Sequence, residues 1–247
     1  MKGLLYAEFY HLRRSRWFHI MLVADVLISI VFVFAAKDAH PLPGRTVLRS
    51  ALIDLPLMMM LCAIFAGLYI GPAFTNKTVA RAITAGHSRT RVMLAKCIVY
   101  LIATAVILLV YPLLSSGMAC ARAGWGVTIT WGECISVARV IALAVLLNAA
   151  VCMLFAFLSF MLQDTGKAIG TSVVVYLLLT ILATPRPALP VWLNGLLVLL
   201  PTNIARDVAF ARPLSAGLAW QALAGGVVCL VLLLLLTGFA FNRSELK

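Results

Sequence analysis

Residues 135–161 read ISVARVIALAVLLNAAVCMLFAFLSFM, with Arg139 as the one charged position. A helix of roughly 20 apolar residues crosses the hydrocarbon core of a bilayer, so this stretch is long enough to span. It is also too apolar to cover a water-facing surface. The reading of this one segment as a spanning helix sets the reading of the rest.

Working outward, five more runs qualify or nearly so: 17–36, 51–74, 92–116, 168–184 and 219–241. The run at 168–184 is short and can extend back through Gly166. Composition agrees with a membrane protein. Hydrophobic residues are 64% of the 247 positions and charged residues 11%, against about 25% charge in a soluble domain. The expected fold is an all-α integral membrane protein. It has six transmembrane helices, preceded by an amphipathic interfacial helix at 4–16. The chain reads as a single transmembrane domain over residues 1–247.

The net charge of +12 comes from 20 Lys and Arg, which sit mainly between the apolar runs. That placement sets membrane orientation and offers no folded basic face to nucleic acid. With six spans both termini share one side. That side collects Lys2, Arg13, Arg14, Arg16, Lys77, Arg81, Arg89, Arg91, Lys96, Lys167, Arg243 and Lys247, against the acids Glu8, Asp164 and Glu245. The other side holds Lys37, Arg45, Arg49, Arg122, Arg186, Arg206 and Arg212 in its loops. Both termini are therefore expected in the cytoplasm. The N-terminal run is expected to be retained as a span, since it lacks a small-residue cleavage site.

In the segment 4–16, Leu5, Phe9 and Leu12 recur at helical spacing while Glu8, His11 and Ser15 lie on another face. The spacing favours an amphipathic surface helix over a plain basic tail. Lys96, at the start of the third run, is placed to snorkel to the interface. On the outer side, 188–212 forms an interfacial or re-entrant segment. Its apolar part, 191–200, is too short to cross.

No phosphate loop, HExxH metal site, nucleophile elbow or dinucleotide turn is present. The four histidines, 11, 19, 40 and 87, are scattered. The expectation is no catalytic residue, no metal site and no cofactor bound by this chain. Cys62, Cys97, Cys152 and Cys229 read as small core residues. Cys120 and Cys134 share one loop, where a disulfide is an open alternative.

Asp25 is an acid about nine residues into the first run. It reads either as a substrate or proton contact, or as a carboxyl that is shallow and hydrogen-bonded to a neighbouring helix or near the cytoplasmic interface. The lack of a partner favours the second reading, and Arg139 lies near the opposite face. Gly67 and Gly71, and Gly166 and Gly170, are spaced for close helix packing. A substrate pathway, if present, has Asp25, Met59, Asn148 and Thr180 as candidates, Met59 within the soft cluster Met58–Met60.

The stretch after the second run reads TNKTVARAITAGHSRTRVMLAK over residues 75–96. Residues 76–85 suit a short basic helix with Val79 and Ile83 on one face, ended by Gly86. Thr78, Val79, Ile83, Gly86, Ser88, Arg89 and Lys96 match the run between the second and third spans of type 2 ABC exporter permeases. The chain resembles that family in its layout as well. Where many members carry an acid just before the Thr, Asn76 and Lys77 stand here.

The resemblance implies a permease that works as a dimer, with itself or a sister chain. Each copy would rest on a separate cytoplasmic ATPase that holds ATP and Mg. Residues 76–85 would be the coupling helix, with Thr78, Val79, Arg81, Ala82, Ile83, Gly86, Ser88 and Arg89 as its ATPase-coupling residues. Helix 4–16 would also touch the ATPase. Substrate would leave between the two permeases, and an amphiphile (a peptide, antimicrobial peptide, drug or lipid) would suit it. The setting implied is a bacterial cell membrane. The alternatives are a secondary transporter and a non-catalytic six-span scaffold. The first lacks inverted repeats here, and an enzyme would need a catalytic cluster.

Overall fold

The computed structural model describes residues 2–35, 42–182, 200–211 and 214–243. These residues form α1 (Lys2–Arg14), α2 (Arg16–Ala35), α3 (Gly44–Ile53), α4 (Leu55–Thr75) and α5 (Thr78–Thr84). Next come α6 (Arg89–Ala123), α7 (Trp131–Leu162), α8 (Thr165–Leu182), α9 (Pro201–Phe210) and α10 (Ala216–Arg243). There is no strand among them. Helices α2, α4, α6, α7 and α10 are each long and apolar enough to cross a membrane. The chain is a multi-pass, all-α membrane protein.

Helix α8 is the expected fifth run, begun earlier, at Thr165. As described it falls just short of spanning length, and residues 183–184 of the expected run lie outside the described residues. So does most of the apolar outer stretch 191–200. Beyond that stretch lies α9, a short helix begun by Pro201, whose missing amide costs nothing at the first helical position.

The second run, 51–74, divides in two. Residues 51–53 belong to α3, and α4 starts at Leu55. Pro56 causes the break. It has no N–H to bond the carbonyl of Leu52, so a continuous helix cannot pass through it. The turn is made at Asp54, whose N–H bonds the Ser50 carbonyl at 3.0 Å. Pro72 lies inside α4, which runs on to Thr75.

Helices α4 and α7 form the centre of the bundle, and α2 and α10 lie outside with mostly exposed apolar faces. Gly67 and Gly71 set the closest approach. A Cβ at Gly67 would lie 2.5 Å from Ile169 Cγ1 and 2.9 Å from the Ile169 backbone N. A Cβ at Gly71 would lie 2.7 Å from Thr165 Cα. Small residues thus let α4 and α8 pack backbone to backbone within one chain. Gly166 and Gly170 do not repeat this. Gly170 faces open space.

The Tyr100 hydroxyl lies 3.1 Å from the carbonyls of both Cys62 and Cys152, joining α6 to α4 and α7. Phe65 stacks on Tyr69 and on Tyr100. Phe74, Phe160 and Phe241 meet edge to face, fastening α4, α7 and α10 at one end.

The opposite end is tied by polar groups. Arg45 of α3 pairs with Glu133 of α7 at 2.7 Å. Arg49 donates to the Ala211 carbonyl at 3.0 Å. Gly44 N–H bonds the Gly124 carbonyl at 2.9 Å. Cys120 and Cys134 do not share a loop. They lie in α6 and α7, and both are free thiols.

Candidate functional site

The site begins with α5. Its first residue follows Lys77, which holds the left-handed conformation at φ 55. Thr78 Oγ1 donates back to the Ala73 carbonyl at 3.0 Å, locking the turn onto the end of α4. The helix is shorter than the expected 76–85. It stops where Gly86 takes φ 91, a value that favours glycine. Gly86 N–H then bonds the Ile83 carbonyl and His87 N–H the Ala82 carbonyl, the paired bonds of a Schellman stop.

Val79 and Ile83 share a face, and that face turns into the bundle. Val79 is 1% exposed, and Ala82 and Ile83 are half-buried. The outward surface is Lys77, Thr78, Arg81, Thr84 and Ala85, continued by Gly86, His87 and Ser88. Arg89 is half-buried at the start of α6. This stretch carries basic charge and contains no acid.

Helix α1 lies beside α5. Leu4 and Leu5 are half-buried and Leu12 buried against the bundle. Glu8 is buried with them, on the inward face, which corrects its assignment to the polar face. Lys96 explains the difference. Lys96 is only 7% exposed, so its ammonium is turned into the protein and needs a counter-charge. Its Nζ lies 2.8 Å from Glu8 Oε1 and 3.0 Å from Oε2. The Tyr69 hydroxyl donates to Glu8 Oε2 at 2.9 Å. The Lys96 ammonium also sits 5.6 Å from the Tyr69 ring centroid.

This triad was missed because its members are 61 and 88 positions apart. The available signal was a lone acid in a basic amphipathic helix and a lone lysine inside an apolar run. The triad fixes α1 to α4 and α6. Between α1 and α5 it leaves a groove of about 890 Å³, lined by Leu4, Tyr10, Arg14, Asn76, Arg81 and Ala85 among others.

The pathway candidates do not form one file. Met59 and Thr180 line a crevice of about 70 Å³ with Tyr176, Asn203 and Arg206. Asn148 is buried in α7, where its Nδ2 donates to the Ala144 carbonyl at 2.7 Å and its Oδ1 has no partner among the described residues. Asp25 is fully buried on α2, and neither carboxylate oxygen has a partner among the described residues. The expected hydrogen bond from its carboxyl to a neighbouring helix is absent among the described residues. Arg139 is exposed on α7.

At the end away from α5, a cavity of about 240 Å³ opens between α2, α3 and α6, with Asp54 in its lining. Desolvation holds the Asp54 carboxyl above the usual carboxylate range, and Arg206 opposes the shift.

No protein-family model matches the chain, and no curated protein matches it. Among the described residues no group of three or more His, Cys, Asp or Glu is gathered closely enough to hold a metal ion.

Proposed function

We propose that this chain is the permease subunit of an ATP-driven exporter of the type 2 ABC class. The observation that carries the reading is α5 with its groove. A short basic helix is hung on the end of a spanning helix, its apolar face packed inward and its cationic face outward. Helix α1 flanks it and is tied to α4 and α6 by the Glu8–Lys96–Tyr69 triad. A force applied to α1 or α5 is passed directly to the spanning helices α4 and α6. That is the mechanical need of a membrane subunit driven by a separate motor.

In this reading the α1/α5 end is cytoplasmic and seats on an ATPase that binds ATP and Mg. A second permease, identical or related, completes the pathway in a bacterial plasma membrane. The outward residues Lys77, Arg81 and Thr84 meet the ATPase. Val79 and Ile83 brace α5 from behind. The cargo is an amphiphile.

The test is co-purification from cells that express the chain together with an ABC ATPase subunit from the same genome. Arg81→Glu with Thr84→Glu is expected to remove the ATPase and leave the permease folded. If the double variant retains the ATPase, or if the native chain transports without any nucleotide-hydrolysing partner, the reading fails. Val79→Asp is not a docking test, because Val79 is buried and the variant would disrupt the bundle.

A further inference from the structure

The cavity between α2, α3 and α6 combines two surfaces that seldom meet at a membrane boundary. Phe32 and Ala51 give it apolar walls, and Tyr111 and Ser115 supply hydroxyls. Asp54 and Arg122 supply charge. The Phe32 and Tyr111 rings meet edge to face at 6.0 Å. Beside the cavity α2 is open to the outside: Phe32 is 45% and Phe34 57% exposed. An apolar chain could lie along that face while a polar group entered the cavity.

The charges favour a cation. Glu8 and Glu133 are each engaged in an ion pair. Among the described residues Asp54 is in no such pair, and Arg206, the cation that acts on it, lies outside the cavity lining. Asp54 and Tyr111 share the lining of the one cavity. Arg122 is already occupied. Its guanidinium lies 4.4 Å from the Phe34 ring centroid and donates to the Val33 carbonyl at 3.4 Å. Aromatic faces beside a carboxylate are a favourable setting for an ammonium group.

We propose that this cavity binds the ammonium of an amphiphilic amine between Asp54 and Tyr111, with the apolar body of the amine lying along α2. The site does not depend on the ATPase reading, since it lies at the other end of the bundle and needs no nucleotide. The ammonium could belong to a lipid headgroup or to a free amphiphile, and the chemistry of recognition is the same.

The test is equilibrium binding of octylammonium and of octanol to the purified full chain in phosphatidylcholine nanodiscs, with binding to empty discs subtracted. Saturable binding of octylammonium at least about tenfold tighter than octanol is expected, because only the amine gains the carboxylate interaction. Asp54→Asn is expected to erase that preference. Ala51→Phe, which fills the cavity, is expected to remove saturable binding of both. Equal affinity for the two probes overturns the proposal, as does a preference that survives Asp54→Asn in a variant with unchanged thermal stability. Should Ala51→Phe fail to fold, Ser115→Phe fills the same space from α6 and is read in the same way. Repeating the measurement in phosphatidylethanolamine discs separates the two sources. Weakened octylammonium binding there marks a lipid headgroup as the natural occupant, and unchanged binding marks a free amine.

Discussion

Glu8 and Lys96 are the charges whose placement matters most. Each is almost fully enclosed, and each satisfies the other at hydrogen-bond distance. Removing one partner leaves an uncompensated buried charge, which costs about 3–5 kcal/mol. Lys96→Met and Glu8→Leu are therefore each expected to lower the thermal midpoint of the protein in nanodiscs. The double variant Glu8→Leu with Lys96→Met should recover most of the loss, since an apolar pair of similar volume is tolerated where a lone charge is not. Additive losses in that cycle would show that the pair does not act as a unit. Tyr100 is a milder case. Tyr100→Phe removes a hydroxyl that bridges α6 to carbonyls of α4 and α7, and about 1 kcal/mol is expected, the usual worth of an interhelical hydrogen bond in a membrane.

Among the elements, α4 and α8 have the least room. The first atom of any side chain at Gly67 would overlap the Ile169 backbone, which cannot rotate away. Gly67→Val is expected to separate the two helices and to reduce yield and thermal stability sharply. Gly170→Val should be near neutral, because that position faces open space. A fluorescence-detected size-exclusion melt of the two variants separates these outcomes. The same spacing of glycines therefore has different consequences on α4 and α8, and only the facing helix distinguishes them. Helix α5 makes a similar point. Val79 and Ile83 are its most apolar residues, yet they serve the bundle and leave Arg81 and Thr84 for a partner.

For the molecule as a whole, the two ends are chemically unlike. The α5 end presents basic charge beside a groove, while the α3 end is closed by the Arg45–Glu133 pair and by a backbone bond between Gly44 and Gly124. The proposed orientation places α5 in the cytoplasm. Cys134, an exposed thiol at the α3 end, should then react with a membrane-impermeant maleimide in intact cells. In a Cys134→Ser background, Ala85→Cys should react only after the membrane is opened. The reverse pattern would invert the orientation and remove the basis for an ATPase at α5.

Long apolar runs were enough to establish the class of fold, because a helix that satisfies its own backbone is the simplest structure an apolar segment can adopt in lipid. The stop of α5 was also legible, since Gly86 supplies a backbone conformation that other residues resist. The break at Asp54 was signalled by Pro56 but was absorbed into one apolar run, because hydropathy does not register a missing amide. The inward turn of Glu8, its pairing with Lys96, and the meeting of Asp54 and Tyr111 in one cavity were decided by tertiary structure alone. They depend on which helix faces which, and a sequence read along one dimension does not carry the distances between residues far apart in the chain.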